Sequence, residues 1–472
     1  MPARRAEIAR PSRSRRLLLV LLALMLVAAA GVTTVVLVHS GSDPWPPGLP
    51  VAAVAEPVLP DLAVPEPALA DDAGDEPVPD PAALAAILAP TLADPRLGGR
   101  LLASVVDVAD GEVLFDASAD QPATPASNAK LLTAFAALST LDPGDRLATT
   151  VVAGSTPGEI VLVGGGDTTL SRTAPSLSYP GAATVADLAQ QVLGNAGTEI
   201  TGIVVDSSLY TGPSVSPLWR TGDAPSTYAA PITATMVDGG RIGPGSRSRS
   251  GTPDLDAGAA LAEALGRPDL PVVAGLAPPE AALLARGESA PVSRLVETML
   301  ALSDNVLAES LARHVALARG QSPDFAGAAV AVADAVAAGG LDTTGLTVVD
   351  GSGLSVGNAI PPRLLTDLLR AVAVEAGNPD LAPISSGLPV AGYDGTLVDR
   401  YEAGRTVGAG SVRAKSGTLD GVNALAGYVV TAQGRVLAFA LIADQLPPGG
   451  PLIGGEPVLD AFAGVLASCG CR

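Results

Sequence analysis

From Leu17 to Val38 the chain runs for 22 residues without a charge, and six arginines (Arg4, Arg5, Arg10, Arg13, Arg15 and Arg16) precede that run. At 1.5 Å per residue a helix of this length spans about 33 Å, enough to cross a hydrocarbon core of roughly 30 Å. A basic flank on the N-terminal side keeps that end in the cytoplasm and sends everything after the span outside. The alternative is a cleaved signal peptide, with Ala28–Ala30 as its small-residue cleavage site. A signal peptide's apolar region is shorter, about 7 to 15 residues, whereas here it continues to Val38. Residues 1–39 are therefore expected to be a cytoplasmic basic segment and a retained membrane anchor. On either reading the body of the protein works outside the cytoplasm.

Residues 40–82 carry a proline every few positions and many acids. Proline removes the backbone donor and fixes φ, so no regular element can run through such a stretch. It is expected to be an extracytoplasmic spacer, with Trp45 near the membrane interface. Helical spacing then begins at Ala82 and is expected to stop at Pro90. LLASVVDVADGEVLFD reads as a hairpin turning around Ala109, Asp110 and Gly111. The following stretch, ATPASNAKLLTAFAALSTL, reads as a helix starting at Thr124 or Ser127. Between about 151 and 285, short Val/Ile runs alternate with Gly, Pro and Ser, which predicts strands and long loops. Helical patterns return over PVSRLVETMLALSDNVLAESLARHVALARG and PDFAGAAVAVADAVAAGG. The last third closes with two or three strands and a helix near 455–467.

Composition narrows the function. Acids outnumber bases 48 to 28, a net charge of -20, and nucleic-acid binding needs the opposite sign. Only His39 and His314 are histidines, which argues against a His-dependent triad or a polyhistidine zinc site. Cys469 and Cys471, one residue apart at the C-terminus, are expected to be free thiols or to bridge to another molecule. No metal and no cofactor is implied.

Against that background three short motifs stand in order: Ser127-Asn128-Ala129-Lys130, Ser303-Asp304-Asn305 and Lys415-Ser416-Gly417. Ser127 and Lys130, three apart, share a helix face. A serine in the first helical turn lies beside free N–H groups and the positive end of the dipole, which favour a developing anion. A lysine whose pKa is lowered by burial and nearby cations can take the serine's proton without any histidine. Each motif alone has an ordinary reading as an N-cap, a turn or a strand end. Their conjunction carries the signal.

SxxK, SDN and K-[T/S]-G together resemble the signature of penicillin-binding proteins and serine β-lactamases. The finer wording resembles the D-Ala-D-Ala carboxypeptidase/endopeptidase family, the class C low-molecular-weight penicillin-binding proteins (peptidase family S13). The phrases that carry this are TPASNAKLLTAFAAL, LVGGGDTTL (162–170), LSDNVLAESLARHV (302–315), VVDGSGLSVGN (348–358), LPVAGYDGTL (388–397) and AKSGTLDGVNALAGYV. They extend over residues 85–467. The resemblance implies an α+β transpeptidase fold of the β-lactamase type, an antiparallel sheet flanked by helices, with a large strand-rich insertion between SxxK and SDN. Catalytic-domain parts at 83–150 and 286–472 would then enclose inserted residues 151–285. Ser303 lies 176 positions after Ser127, more than two adjacent helices need.

By motif position the resemblance implies Ser127 as nucleophile, Lys130 as its base, and Ser303 and Asn305 as proton relay and amide holder. Lys415 would add positive charge near the substrate carboxylate, and Ser416 would bind that carboxylate. Gly417 and Thr418 would line the substrate strand, with the N–H groups of Ser127 and Thr418 as oxyanion hole. The implied partners are peptidoglycan stem peptides ending in D-Ala-D-Ala, with β-lactams as inhibitors. The expected function is a penicillin-sensitive serine DD-carboxypeptidase, with DD-endopeptidase activity as a close variant. A serine β-lactamase and a non-catalytic wall-binding protein on the same fold are the alternatives. Outside the motifs, Asp350–Gly353 reads as a polar turn near the site wall and Gly164–Gly166 as a structural turn. Asp206 reads as a strand cap or loop anchor, His314 as packing and Arg413 as structural.

Overall fold

Runs of Val, Leu and Ala near the two ends of the chain pair with one another, and this decides the architecture. The computed structural model describes residues 76–374, 379–401 and 407–470. The expected anchor, its basic flank and most of the proline-rich spacer lie outside the described residues. Among the described residues no helix is long and apolar enough to cross a membrane.

In chain order the first elements are α1 (Pro81–Leu92), β1 (Leu102–Asp107), β2 (Val113–Ala117), a short 3-10 turn at Ala126–Asn128 and α2 (Ala129–Thr140). Next come β3 (Arg146–Ala153), β4 (Glu159–Gly164), α3 (Val185–Asn195), β5 (Gly202–Asp206), α4 (Pro253–Ala264), β6 (Val272–Ala274) and β7 (Leu283–Pro291). The remainder holds α5 (Val292–Leu302), α6 (Asn305–Ala318), α7 (Phe325–Ala338), α8 (Pro362–Val374) and α9 (Ala382–Gly387). It ends with β8 (Val412–Leu419), β9 (Val422–Val430), β10 (Val436–Ala443) and α10 (Glu456–Ser468).

The main sheet has the order β2-β1-β10-β9-β8 and is antiparallel throughout. Its central strands are apolar on both faces because both faces are covered. Ala424, Ala426, Ala438, Ala440 and Ile442 face the core built with α2 and α5–α8. Leu425, Val429, Leu437, Phe439 and Leu441 face Leu84 and Leu88 of α1 and Leu459, Phe462 and Leu466 of α10. Alanines on the first of these faces allow α8 to pack close. The second sheet, β6-β5-β4-β3-β7, is mixed: β4, β5 and β6 run parallel, while β3 pairs antiparallel with β4 and β7. It has its own core, to which α3 and α4 contribute Val185, Leu188, Val192, Ala257 and Leu261.

Three expectations need correcting. Pro90 does not end α1, which continues to Leu92. Proline deprives the Ala86 carbonyl of its donor, but both residues face solvent, so water can satisfy it. The segment read as strands and loops also contains the two helices α3 and α4. Cys469 is disulfide-bonded rather than a free thiol.

Candidate active site

Helix α2 places Ser127 and Lys130 together because the 3-10 turn at Ala126–Asn128 leads directly into it. Ala126 has φ 49°, a left-handed conformation that a non-glycine residue adopts at a cost. Two glycines make the turn possible. A Cβ on Gly353 would lie 1.9 Å from the Ala126 carbonyl oxygen, and one on Gly417 would lie 2.8 Å from the Pro125 carbonyl oxygen. The loop after α7 and the edge strand β8 therefore close on the Ser127 turn from two sides.

Lys130 is fully buried. Its Nζ lies 3.0 Å from Ser127 Oγ, 2.6 Å from Asn305 Oδ1 and 2.6 Å from the Ser352 carbonyl oxygen. Burial pushes its pKa down to about 8 against the opposing pull of Asp350, Asp304 and Glu309. In the neutral amine, the two acceptor-only partners take both N–H groups. The lone pair is left for Ser127, the one partner that can donate. This geometry would let a neutral Lys130 amine accept the Ser127 proton.

The second motif sits at the junction of α5 and α6. Ser303 caps α5 in the left-handed region, φ 54°, and Asp304 caps α6 by accepting from the Val306 and Leu307 N–H groups. The other Asp304 oxygen accepts from the Tyr179 hydroxyl at 2.8 Å, from Arg249 at 3.2 Å and from Arg241 at 3.3 Å. Burial alone would raise the Asp304 carboxyl, but the two guanidinium groups hold it well below its usual range. Asn305 also donates through Nδ2 to the Tyr228 carbonyl at 3.2 Å.

Strand β8 supplies the third motif along the edge of the main sheet. Lys415, fully buried, donates to Ser303 Oγ at 2.9 Å and to the Ser416 carbonyl at 2.8 Å. Burial, with Lys130 and Arg400 nearby, drives its pKa well below that of a free lysine. Ser416 Oγ shares a hydrogen bond of 2.8 Å with Thr396 Oγ1, and Thr418 donates to Glu456 at 2.6 Å. Ser127, Ser303, Asn305, Ser416 and Thr418 line one cleft of about 580 Å³, while Lys130 and Lys415 lie buried beneath it. Among the described residues no group of three or more His, Cys, Asp or Glu side chains is placed to hold a metal.

The remaining singled-out residues lie elsewhere. Asp206 ends β5 and anchors its loop by accepting from the Ser208 and Ala277 N–H groups. His314 is half-buried against Gly166 and Tyr210, and desolvation there lowers its pKa to about 4. Arg413 is exposed. Sequence reasoning missed the contributions of Ser352, Thr396, Tyr179, Arg241 and Arg249. Ser352 acts through its backbone, and the others are brought in by tertiary packing, so short-range spacing carried no sign of their roles.

An antiparallel sheet between two helical layers, with a serine at a helix start and a lysine on the edge strand, defines a penicillin-binding-protein and β-lactamase-like fold. Penicillin binding protein 4 from Haemophilus influenzae shares it, with a TM-score of 0.65 over 81% of this chain and 98% of that one, at 21% identity. The same protein in complex with a β-lactam matches with a TM-score of 0.60. The chain belongs to the D-Ala-D-Ala carboxypeptidase 3 (S13) family, whose model matches residues 84–247 and 244–450. Carboxypeptidase DacB of Mycolicibacterium smegmatis is 43% identical over 404 residues, 84% of this chain and 86% of that one. A D-alanyl-D-alanine carboxypeptidase from Actinomadura sp. is 30% identical over 473 residues, 81% of this chain and 85% of that one.

Proposed function

We propose that this protein is a serine-type D-Ala-D-Ala carboxypeptidase of peptidoglycan, inhibited by penicillin through an acyl-enzyme on Ser127. The observation that carries the reading is the Lys130 amine, whose two short acceptors leave its lone pair for the Ser127 hydroxyl. Family membership supports the same reaction.

In this reading Ser127 Oγ attacks the carbonyl carbon between the two D-alanines and its proton passes to Lys130. The oxyanion would be met by the N–H groups of Ser127 and Thr418. The carbon–nitrogen bond then breaks, and the proton held by Lys130 passes through Ser303, bonded to Lys415, to the departing amine, which restores the neutral Lys130. Asn305 holds the substrate amide. Ser416, with Gly417 keeping β8 close to the Ser127 turn, binds the terminal carboxylate. Water attacks the ester and returns Ser127. A β-lactam enters by the same attack on its strained amide, and its ester hydrolyses slowly. The stretch Leu17–Val38 would tether the enzyme to the outer face of the membrane, with residues 40–82 as spacer and 151–285 inserted into the catalytic domain.

The test is release of free D-Ala from a synthetic stem pentapeptide ending in D-Ala-D-Ala. Wild type is expected to release one equivalent, and Ser127→Ala none. Release that persists in Ser127→Ala would defeat the assignment of the nucleophile.

A further inference from the structure

The Ser352 backbone is gripped on both sides in a fully buried setting. Its N–H donates to Glu309 Oε1 at 2.9 Å, while its carbonyl receives Lys130 Nζ at 2.6 Å. The turn that carries it is built around Asp350, which is 1% exposed. One Asp350 oxygen accepts from the Gly353 N–H and the Asn358 amide, each at 2.8 Å. The other accepts from the Ser355 N–H at 2.7 Å and from Trp219 Nε1 at 2.8 Å. Three of these donors belong to the same turn. The fourth comes from 131 residues upstream, on the segment between β5 and α4. A second link joins the same two segments, from Ser355 Oγ to the Leu218 carbonyl at 3.1 Å.

Trp219 itself is held. It is 7% exposed, packs with Ile232, Met236, Val306 and Leu354, and meets Phe325 edge-on with ring centroids 5.2 Å apart. It does not line the cleft. A buried indole N–H aimed at a buried carboxylate is costly to leave unpaired, so Asp350 and Trp219 fix one another's positions.

Given the acyl-enzyme reading on which this rests, we propose that Trp219 is a positioning residue for Lys130. Its hydrogen bond to Asp350 sets the 350–358 turn so that the Ser352 carbonyl engages one N–H of the neutral amine. With Asn305 engaging the other, the lone pair stays on Ser127. If the Ser352 carbonyl drifts, the free N–H turns to Ser127 Oγ as acceptor, and the lone pair points away from the proton it must take. Trp219 thereby takes part in the chemistry without lining the cleft. Misplacing a reacting group by about 1 Å is enough to cost orders of magnitude in rate.

The test uses the full chain in detergent and compares wild type, Trp219→Phe and Ile232→Val. Phenylalanine keeps an aromatic ring against Phe325 but removes the indole N–H, and Ile232→Val loosens the same cluster without touching the hydrogen bond. Benzylpenicillin acylation and D-Ala release are followed against pH. For Trp219→Phe, kcat is expected to fall roughly tenfold with KM near wild type. The pH midpoint for acylation should move below that of wild type, because the lost acceptor stabilised the ammonium form more than the amine. Ile232→Val should lower the melting temperature without moving that midpoint. Trp219→Phe with wild-type rate and midpoint would overturn the proposal, as would Ile232→Val reproducing both changes. Wild type that forms no acyl-enzyme at all would instead overturn the reading beneath it.

Discussion

Lys130 and Lys415 are both fully buried and both touch a motif serine, yet the protein surrounds them differently. Lys130 feels three carboxylates, those of Asp350, Asp304 and Glu309, and its pKa settles at about 8. The charges that act on Lys415 are cations, Lys130 and Arg400, and its pKa is driven well below the usual value. Burial strips hydration from both amines alike, so the neighbouring charge decides what each can do. On the proposed reading, Lys130 exchanges a proton with the Ser127 hydroxyl 3.0 Å away. Lys415 is a desolvated amine short of an anion, and a substrate carboxylate bound beside Ser416 would supply that anion.

Exchanging the lysines for methionine sharpens the contrast most. Lys130→Met is expected to slow acylation by about 10²- to 10⁴-fold, the usual scale for loss of a general base. Lys415→Met should cost about 10- to 100-fold, mostly as a raised KM for peptides with a free C-terminal carboxylate, the scale of one charge-assisted hydrogen bond. Steady-state kinetics and single-turnover acylation separate the two, and equal losses in kcat for both variants would break the distinction.

Asp304→Asn asks what holds the second motif in place. Asparagine can still cap α6, but Arg249 and Arg241 lose the anion they face. Breaking a buried pair from one side costs about 3–5 kcal/mol, to be read by denaturant unfolding. A cost below about 1 kcal/mol would mean that the arginines do not depend on Asp304.

Proton uptake on binding is the smallest effect. Burial and the nearby cations Lys130 and Arg400 hold the Lys415 pKa well below that of a free lysine, and a bound carboxylate raises it again. Between the two values, binding draws a proton from solution. Titrating Ser127→Ala with the pentapeptide in two buffers of different ionisation enthalpy should show net proton uptake. Identical enthalpies in both buffers would remove the charge-state contrast.

Much of the site was legible because its chemistry needs particular residues at particular spacings. Ser127 and Lys130, three positions apart, meet at 3.0 Å although Ser127 stands in the 3-10 turn ahead of α2, and the Val-rich runs around Asp110 form the hairpin of β1 and β2. Helix α3 also left a sign: Thr184 caps it through Asp187 N–H, and Val185, Leu188, Ala189 and Val192 are spaced for one face. Gly, Pro and Ser on either side masked that spacing. Trp219 on Asp350, and Arg241 and Arg249 on Asp304, had no comparable signal. Each joins residues 55 to 131 positions apart, and their meeting depends on how the second sheet and its loops pack against α6 and the 350–358 turn.

Intact-mass measurement of the full chain after brief exposure to benzylpenicillin, with Ser127→Ala alongside, tests the central claim most directly. A stable one-to-one adduct on wild type, absent from the variant, is the predicted result. An unmodified wild-type protein with penicillin intact, or an adduct that survives in Ser127→Ala, would contradict the account.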